Sequence, residues 1–362
     1  MLHNDLVLIR ALCTAEEVTM VWELTGATAE ALALGGLLLG GGGGGETAEG
    51  AAGMPPEAVR VTGLDELPTA TRACAVAQIG APFIGRERVP SRELRAAVEA
   101  LAHETGAPVE ALVALEIGGQ NAMTAAVAAW QTGLPLLDAD LMGRALPRID
   151  QTLLALAGSA SAPVALASPS GDVVTVRRAG DDDLEGLVRA LLPSLGGRAA
   201  AALYPTTVGA LRAAGTAGTV RRAVDLGRAL LDLRAVGGGT EATGNERVEA
   251  ALGPHGLRVV ARGDVRHVER SGGRTVAAVV GPDGVARLDA DTEFHHCTLD
   301  GRPVAWAPDV VGVLEARTLH PVPVAELRTG TAVLVHRLPV AAPWYTAAGL
   351  ALLERGRLGD PA

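Results

Sequence analysis

The sequence predicts an α/β N-terminal domain with parallel strands, followed by a mainly β C-terminal domain. Three observations predict it. An apolar run at Ala111–Leu115, an Ala-rich stretch at Met123–Gln131 and a second apolar run at Leu134–Leu137 form a βαβ unit of about thirty residues, whose crossover is right-handed. From Leu257 onward, short Val-rich runs alternate with turn chemistry at Ser271-Gly272-Gly273, Gly281-Pro282-Asp283-Gly284 and Asp300-Gly301, as antiparallel strands require. Finally, 362 residues exceed one ordinary core, so two domains are expected. We divide the chain into residues 1–168, an α/β domain with a glycine-rich loop and acidic motifs, and 169–362, a helical connection and then mostly strands.

The elements follow in order. Thr14 with Glu17 reads as a capping box opening a short helix through Leu24. Ala27–Leu39 is a second apolar helix, running into the six glycines Gly40–Gly45. Val59 and Val61 alternate with polar neighbours as in a strand, and Cys74–Ile79 suggests another. Leu94, Val98 and Leu101 fall on one helical face, with Ser91 as its N-cap. In the βαβ unit, Gly118–Asn121 is the loop and Gly133 is placed to end the helix. Asp181-Asp182-Asp183 introduces a helix to about Leu192, and Thr219–Leu233 is a longer one.

Composition narrows the function. The net charge of −10 argues against nucleic-acid partners and anionic membrane surfaces. All 31 basic residues are Arg, so no lysine exists for a pyridoxal-phosphate Schiff base or a phosphate-binding P-loop. The glycine run follows a helix rather than a strand, so NAD is not expected. Cys13, Cys74 and Cys297 are too scattered for a disulfide framework. Met1–Arg10 lacks the basic and apolar regions of a signal peptide, and Ala27–Gly45 is too short and glycine-broken to span a bilayer; a cytoplasmic protein is expected.

In a parallel sheet, ligands bind beyond the carboxyl ends of the strands. Glu116 follows the first strand of the βαβ unit, and Asp138 and Asp140 follow the second. Adjacent strands would bring these three carboxylates into one crevice, with Asn121 and Arg144 close by. Such carboxylates raise one another's pKa, hold a cation or are neutralised by Arg144; alternatively, the aspartates cap the following segment and Glu116 pairs with Arg144 as scaffold. Gly41, Gly42, Gly43 and Gly44 either approach a ligand through their backbone, as an anion nest, or form a linker. His295 and Cys297 would share one side of a strand and are the only candidates for soft metal ligation, against the simpler reading of polar residues at a strand end.

The run Leu39–Glu46, then Leu64-Asp65-Glu66-Leu67-Pro68, Gly80-Ala81-Pro82, Glu116–Asn121 and Gly133–Pro147, in this order and spacing, resembles the DUF917 family, associated with S-methyl thiohydantoin desulfurases and hydantoinase-type proteins. Pro308-Asp309-Val310-Val311, Leu327-Arg328-Thr329-Gly330 and Trp344 extend the resemblance to about Leu350. The chain departs from the family pattern at Gly41, where Thr is usual, and at Glu46, where Asp is usual. An Asn-Glu-Asn-like segment is replaced by Phe294–Cys297, and Arg-Tyr-Gly by Arg328-Thr329-Gly330. The resemblance implies hydrolysis of an S-methylated thiohydantoin to a hydantoin and a thiol. Glu116, Asp138, Asp140 and Arg144 would carry the chemistry, and the glycine turn, Asn121 and Asp309 would bind substrate. A non-catalytic partner of a hydantoinase or oxoprolinase-type enzyme and a divalent-metal-dependent hydrolase are the alternatives. A homo-oligomer or a hydantoinase-type partner is also left open.

Overall fold

The computed structural model describes residues 22–45, 57–81, 92–177, 180–236 and 244–355. Its first sheet contains β1 (Trp22–Leu24), β2 (Val59–Thr62), β3 (Arg72–Gly80), β4 (Ala111–Ala114), β5 (Leu136–Asp140), β6 (Val164–Ala167), β7 (Val173–Val176), β8 (Arg198–Thr207) and β9 (Thr216–Ala217). The order is β1-β2-β5-β4-β3-β8-β6-β7, with β9 paired to β5. The centre, β2-β5-β4-β3, is parallel. Antiparallel strands flank it on both sides. The second sheet is antiparallel: β10 (Arg258–Ser271), β11 (Arg274–Gly281), β12 (Gly284–Ala290), β13 (Phe294–Leu299), β14 (Arg302–Trp306), β15 (Val310–Glu315) and β16 (Ala332–Leu338). An α/β layer followed by a mainly β layer is the predicted class. The strands β7, β8 and β9, all past Ser168, belong to the first sheet.

The helices are α1 (Gly26–Gly40), α2 (Glu93–Thr105), α3 (Asn121–Thr132), α4 (Leu153–Leu156), α5 (Asp181–Leu191), α6 (Val208–Ala214), α7 (Thr219–Ala235), α8 (Gly244–Leu252) and α9 (Ala347–Glu354). The crossover β4-α3-β5 is the unit read from the sequence, and Gly133 ends α3 at φ 73° with its N–H on the Ala129 carbonyl. At the N-terminus only the end of the expected helix can be compared, and it differs. The expected helix before Thr25 lies outside the described residues as far as Val21, and Trp22–Leu24 is strand β1, paired antiparallel with β2. Ser91 also lies outside the described residues, and Arg92 takes the N-cap position of α2.

Helix α1 explains how the layers join. It is apolar on every face, and residues 31–40 are all buried, so it is a core helix rather than a surface one. It packs on α7, on α3 and on β15 of the second sheet. Its contact with α7 is backbone to backbone. A Cβ at Gly35 would sit 1.7 Å from the Ala223 carbonyl oxygen, and one at Gly227 would sit 1.8 Å from that of Ala31. Each helix therefore presents an Ala-x-x-x-Gly face to the other. One apolar cluster runs from Leu32 and Leu38 through Met123 and Val224 to Val310 and Leu334, so both sheets share this core.

Candidate functional site

The carboxyl ends of β3, β4 and β5 open on a cleft of about 170 Å³. Glu116 lies at its floor, two residues past β4, and is buried. Its Oε1 accepts from Asn121 Nδ2 at 2.7 Å, and its Oε2 accepts from the Leu146 N–H at 3.0 Å. Asn121 is itself fixed: its Oδ1 accepts from the Gln78 N–H at 2.7 Å, and its Nδ2 also donates to the Gln78 carbonyl at 3.3 Å. The first turn of α3 thus carries a side chain that ties β3 to Glu116. Burial pushes the Glu116 carboxyl up to about 8; its two hydrogen bonds oppose this, and the charges of Glu293 and Asp140 add to it.

The expected trio of carboxylates does not converge in this cleft. The strand expected at 134–137 starts two residues later and ends three later: β5 spans Leu136–Asp140, so both aspartates are strand residues on one face. Asp138 points at the N-terminus of α7, where its Oδ1 accepts from the Arg221 N–H at 3.1 Å. Burial raises its pKa. Asp140 is fully buried, and its Oδ2 gathers the N–H groups of Ile117, Met142 and Gly143 at 2.9, 3.2 and 2.6 Å. It joins the loop after β4 to the loop after β5, and burial pushes it up to about 7. Both aspartates hold the frame on which Glu116 stands.

Arg144 is buried beside the cleft. Its Nη1 donates to the carbonyls of Pro308 and Asp309 at 2.9 and 2.7 Å, and its Nε to that of Ala145 at 3.0 Å. Burial lowers its pKa, and the charges of Glu293, Asp309 and Glu116 oppose that. It therefore bolts the loop after β5 to the second sheet and places a cation near the acidic groups. Asp309, expected at the substrate, is engaged elsewhere: its carboxylate accepts from the Tyr345 hydroxyl and from Arg337 Nη1.

The glycine turn follows α1 directly, with φ positive at Gly41, Gly42, Gly44 and Gly45. It lies against the Glu116–Asn121 loop, as one reading of the sequence required: the Gln120 N–H donates to the Gly44 carbonyl at 2.8 Å. The second sheet reaches the same turn, with the Phe294 N–H on the Gly41 carbonyl at 2.8 Å and the Val324 N–H on that of Gly42 at 2.9 Å. The N–H groups of Gly41 and Gly43 point back to the Leu38 and Gly40 carbonyls, so these two do not form an anion nest. Gly43 instead makes room: a Cβ there would meet the Glu293 side chain at 2.4–2.7 Å.

Glu293 is the residue that sequence reasoning missed. It lies between β12 and β13, lines the same cleft as Glu116 and is buried. Burial raises its pKa, Thr292 Oγ1 donates to it, and the Arg144 charge pulls it down. The signal was present one residue ahead of Phe294–Cys297, where the acidic segment was sought. That segment behaves differently from expectation. A bulge at His295 interrupts the β12–β13 ladder, so Phe294 and Cys297 both face the core and the simple alternation of His295 with Cys297 is lost. His295 lies 3.7 Å from Asp291, and burial pushes Cys297 up to about 12. Among the described residues no three His, Cys, Asp or Glu side chains gather in a metal-binding group.

The site therefore draws Glu116 and Asn121 from the first layer, Glu293 from the second, and the glycine turn from the helix between them. A family model described as the S-Me-THD-like N-terminal domain matches residues 27–178, and the S-Me-THD-like C-terminal domain matches residues 179–360. A crystal structure of a protein from Chromobacterium violaceum has a TM-score of 0.78 to this chain at 25% identity, covering 94% of this chain and 99% of that one. No curated protein matches the chain. Among the described residues no helix is long and apolar enough to cross a membrane.

Proposed function

Because the chain belongs to the S-Me-THD-like family, we propose that it is a hydrolase of a small cyclic amide-like ring, with an S-methyl thiohydantoin as substrate. The observation that carries this reading is Glu116: a buried carboxyl at the floor of a cleft, held up to about 8, with Glu293 facing the same cleft. A carboxyl near neutrality exchanges protons with water and substrate at working pH.

The reaction follows from those groups. Glu116 in its ionised form takes a proton from water as the oxygen attacks the ring carbon bearing the S-methyl group. The tetrahedral adduct then expels methanethiol, and Glu293 in its protonated form delivers the proton that the sulfur or ring nitrogen needs. One water is consumed, a C–O bond replaces the C–S bond, and a hydantoin and a thiol leave. The Arg144 charge, shielded from solvent, favours the anionic character that develops on the adduct. Asn121 keeps the Glu116 carboxyl aimed, because both ends of its amide are fixed.

The test is thiol release from an S-methyl thiohydantoin by the purified protein. Wild type should turn the substrate over without an added partner protein. Glu116→Gln should lose roughly 10²–10⁴-fold in kcat/KM while remaining folded by circular dichroism. Full activity in the folded variant would remove Glu116 from the chemistry.

A further inference from the structure

We propose that Trp344 is a positioning residue for Glu116: it holds the loop whose backbone aims the Glu116 carboxyl. The catalytic meaning of this role rests on the ring-hydrolase reading. The loop runs from Leu141 to Leu153 and closes on itself through the Leu153 N–H and the Leu141 carbonyl at 2.8 Å. It meets Glu116 through the Leu146 N–H, which donates to Oε2 at 3.0 Å. Asn121 of α3 holds the other oxygen, Oε1, at 2.7 Å. One oxygen of the carboxyl is thus fixed from a helix of the first layer and the other from this loop.

The helical turn Ala342–Tyr345 and α9 hold the loop at three points. The Trp344 ring is fully buried, and its Nε1 donates to the Met142 carbonyl at 2.8 Å. Gln151 Nε2 donates to the carbonyls of Leu352 and Leu353 at 3.2 and 3.1 Å. The Tyr345 hydroxyl donates to Asp309, whose carbonyl accepts from Arg144 Nη1 at 2.7 Å. Trp344, Leu153 and Leu353 form one apolar cluster, and Leu146 packs against it. The residue that donates to Glu116 therefore leans on the cluster to which Trp344 belongs. Gly349 lets α9 close over the ring: a Cβ there would sit 2.4 Å from the Pro343 carbonyl oxygen and 2.9 Å from the Trp344 Cα. The charged groups around Glu116 are Asp140 of β5, Glu293 of the second sheet, Arg189 of α5, Arg198 of β8 and, on the loop itself, Arg144 and Arg148. The Leu146 bond and the Arg144 charge both favour the ionised carboxylate, so a slack loop should leave Glu116 protonated to higher pH.

The experiment titrates protein labelled with ¹³C at its glutamate carboxyls by NMR, with Glu116→Gln identifying the Glu116 signal by its loss. In wild type the midpoint should fall near 8. Trp344→Phe keeps an aromatic ring in the cluster and removes the Nε1 donor. Its Glu116 midpoint should rise by about half a unit or more, roughly threefold in proton affinity. Gln151→Leu cuts the second hold and should move the midpoint the same way; if Trp344→Phe does not fold, this variant decides alone. Val248→Ala hollows the core at α8, which packs on α7 and β10, and should lower Tm while leaving the midpoint in place. On an S-methyl thiohydantoin at pH 7, kcat of Trp344→Phe should fall at least threefold with KM unchanged. A midpoint that stays put in both loop variants, or that Val248→Ala moves as far, would overturn the proposal. The two readings fail separately. A shifted midpoint in a protein whose wild type turns over no ring would retire the hydrolase and keep Trp344 as the support of Glu116. A shifted midpoint with undiminished kcat would take Glu116 out of the chemistry and leave the loop contact standing.

Discussion

Replacing Glu116 by Gln should change how stability depends on pH, independently of any activity. Folding carries this carboxyl from its ordinary 4.5 to about 8. Between those values the native state holds a proton that the unfolded chain has released. The stabilising contribution is therefore complete below pH 4.5 and is lost as pH rises through about 8. Each pH unit across that window is worth ~1.4 kcal/mol, so wild type should lose about 3 kcal/mol from this group between pH 6 and pH 9. Gln cannot ionise. It still accepts from Asn121, but its amide nitrogen faces the Leu146 N–H, and one lost hydrogen bond costs about 1 kcal/mol. The variant should thus be about 1 kcal/mol less stable than wild type below pH 4.5, and the more stable of the two from about pH 6, by a margin that widens up to pH 9. Asp140 and Glu293, also raised, titrate in the same direction in both proteins, so the difference reports the ionisation of Glu116 together with its coupling to these two carboxyls. Urea unfolding followed by circular dichroism at pH 6, 7, 8 and 9 measures it. Two stability curves that stay parallel across the range would refute the reasoning.

Three further outcomes are expected. Gly35→Ala drives a methyl group into the α7 backbone at Ala223 and should lower stability by roughly 3 kcal/mol or more, read by denaturant midpoint; a loss under ~1 kcal/mol would mean that the helix pair relaxes freely. Gly43→Ala should displace the Glu293 carboxyl and reduce kcat/KM at least tenfold, with Tm lowered by only a few degrees; unaltered kinetics would detach Glu293 from the chemistry. Asp138→Asn weakens the tie to the N-terminus of α7 and should cost about 1 kcal/mol of stability while turnover persists, whereas lost turnover in a fully stable variant would return Asp138 to the site.

The elements with a strong local period were legible in the sequence. The helix at 26–40, the βαβ unit and the antiparallel run after Leu257 follow from apolar spacing and turn residues, and these fix where Glu116 and Asn121 stand. What was not legible depends on partners distant in the chain. The chain at Leu134–Asp140 reads as apolar for four residues, yet the strand continues through Asp138 and Asp140 because β4 and β9 pair with it there. Their carboxylates accept from N–H groups of three different segments, and no local pattern encodes that. Glu293 carries no period and no motif of its own; only the fold brings it to the glycine turn. The bulge at His295 likewise arises from the pairing of β12 with β13 and overrides the alternation expected of a strand.

The contact between α1 and α7 also sets a schedule for making the protein. Helix α1, apolar all round from Ala31 to Gly40, is made before the residues that must cover it at Ala223 and Gly227, which follow roughly 190 positions later. At about 5–20 residues per second, the ribosome adds them some ~10–40 s after it adds α1. Through that interval the face that α7 will cover stays open, and the nascent chain is exposed to self-association. Slowing translation between the two helices should lower the soluble yield, and a holdase chaperone supplied during synthesis should restore it.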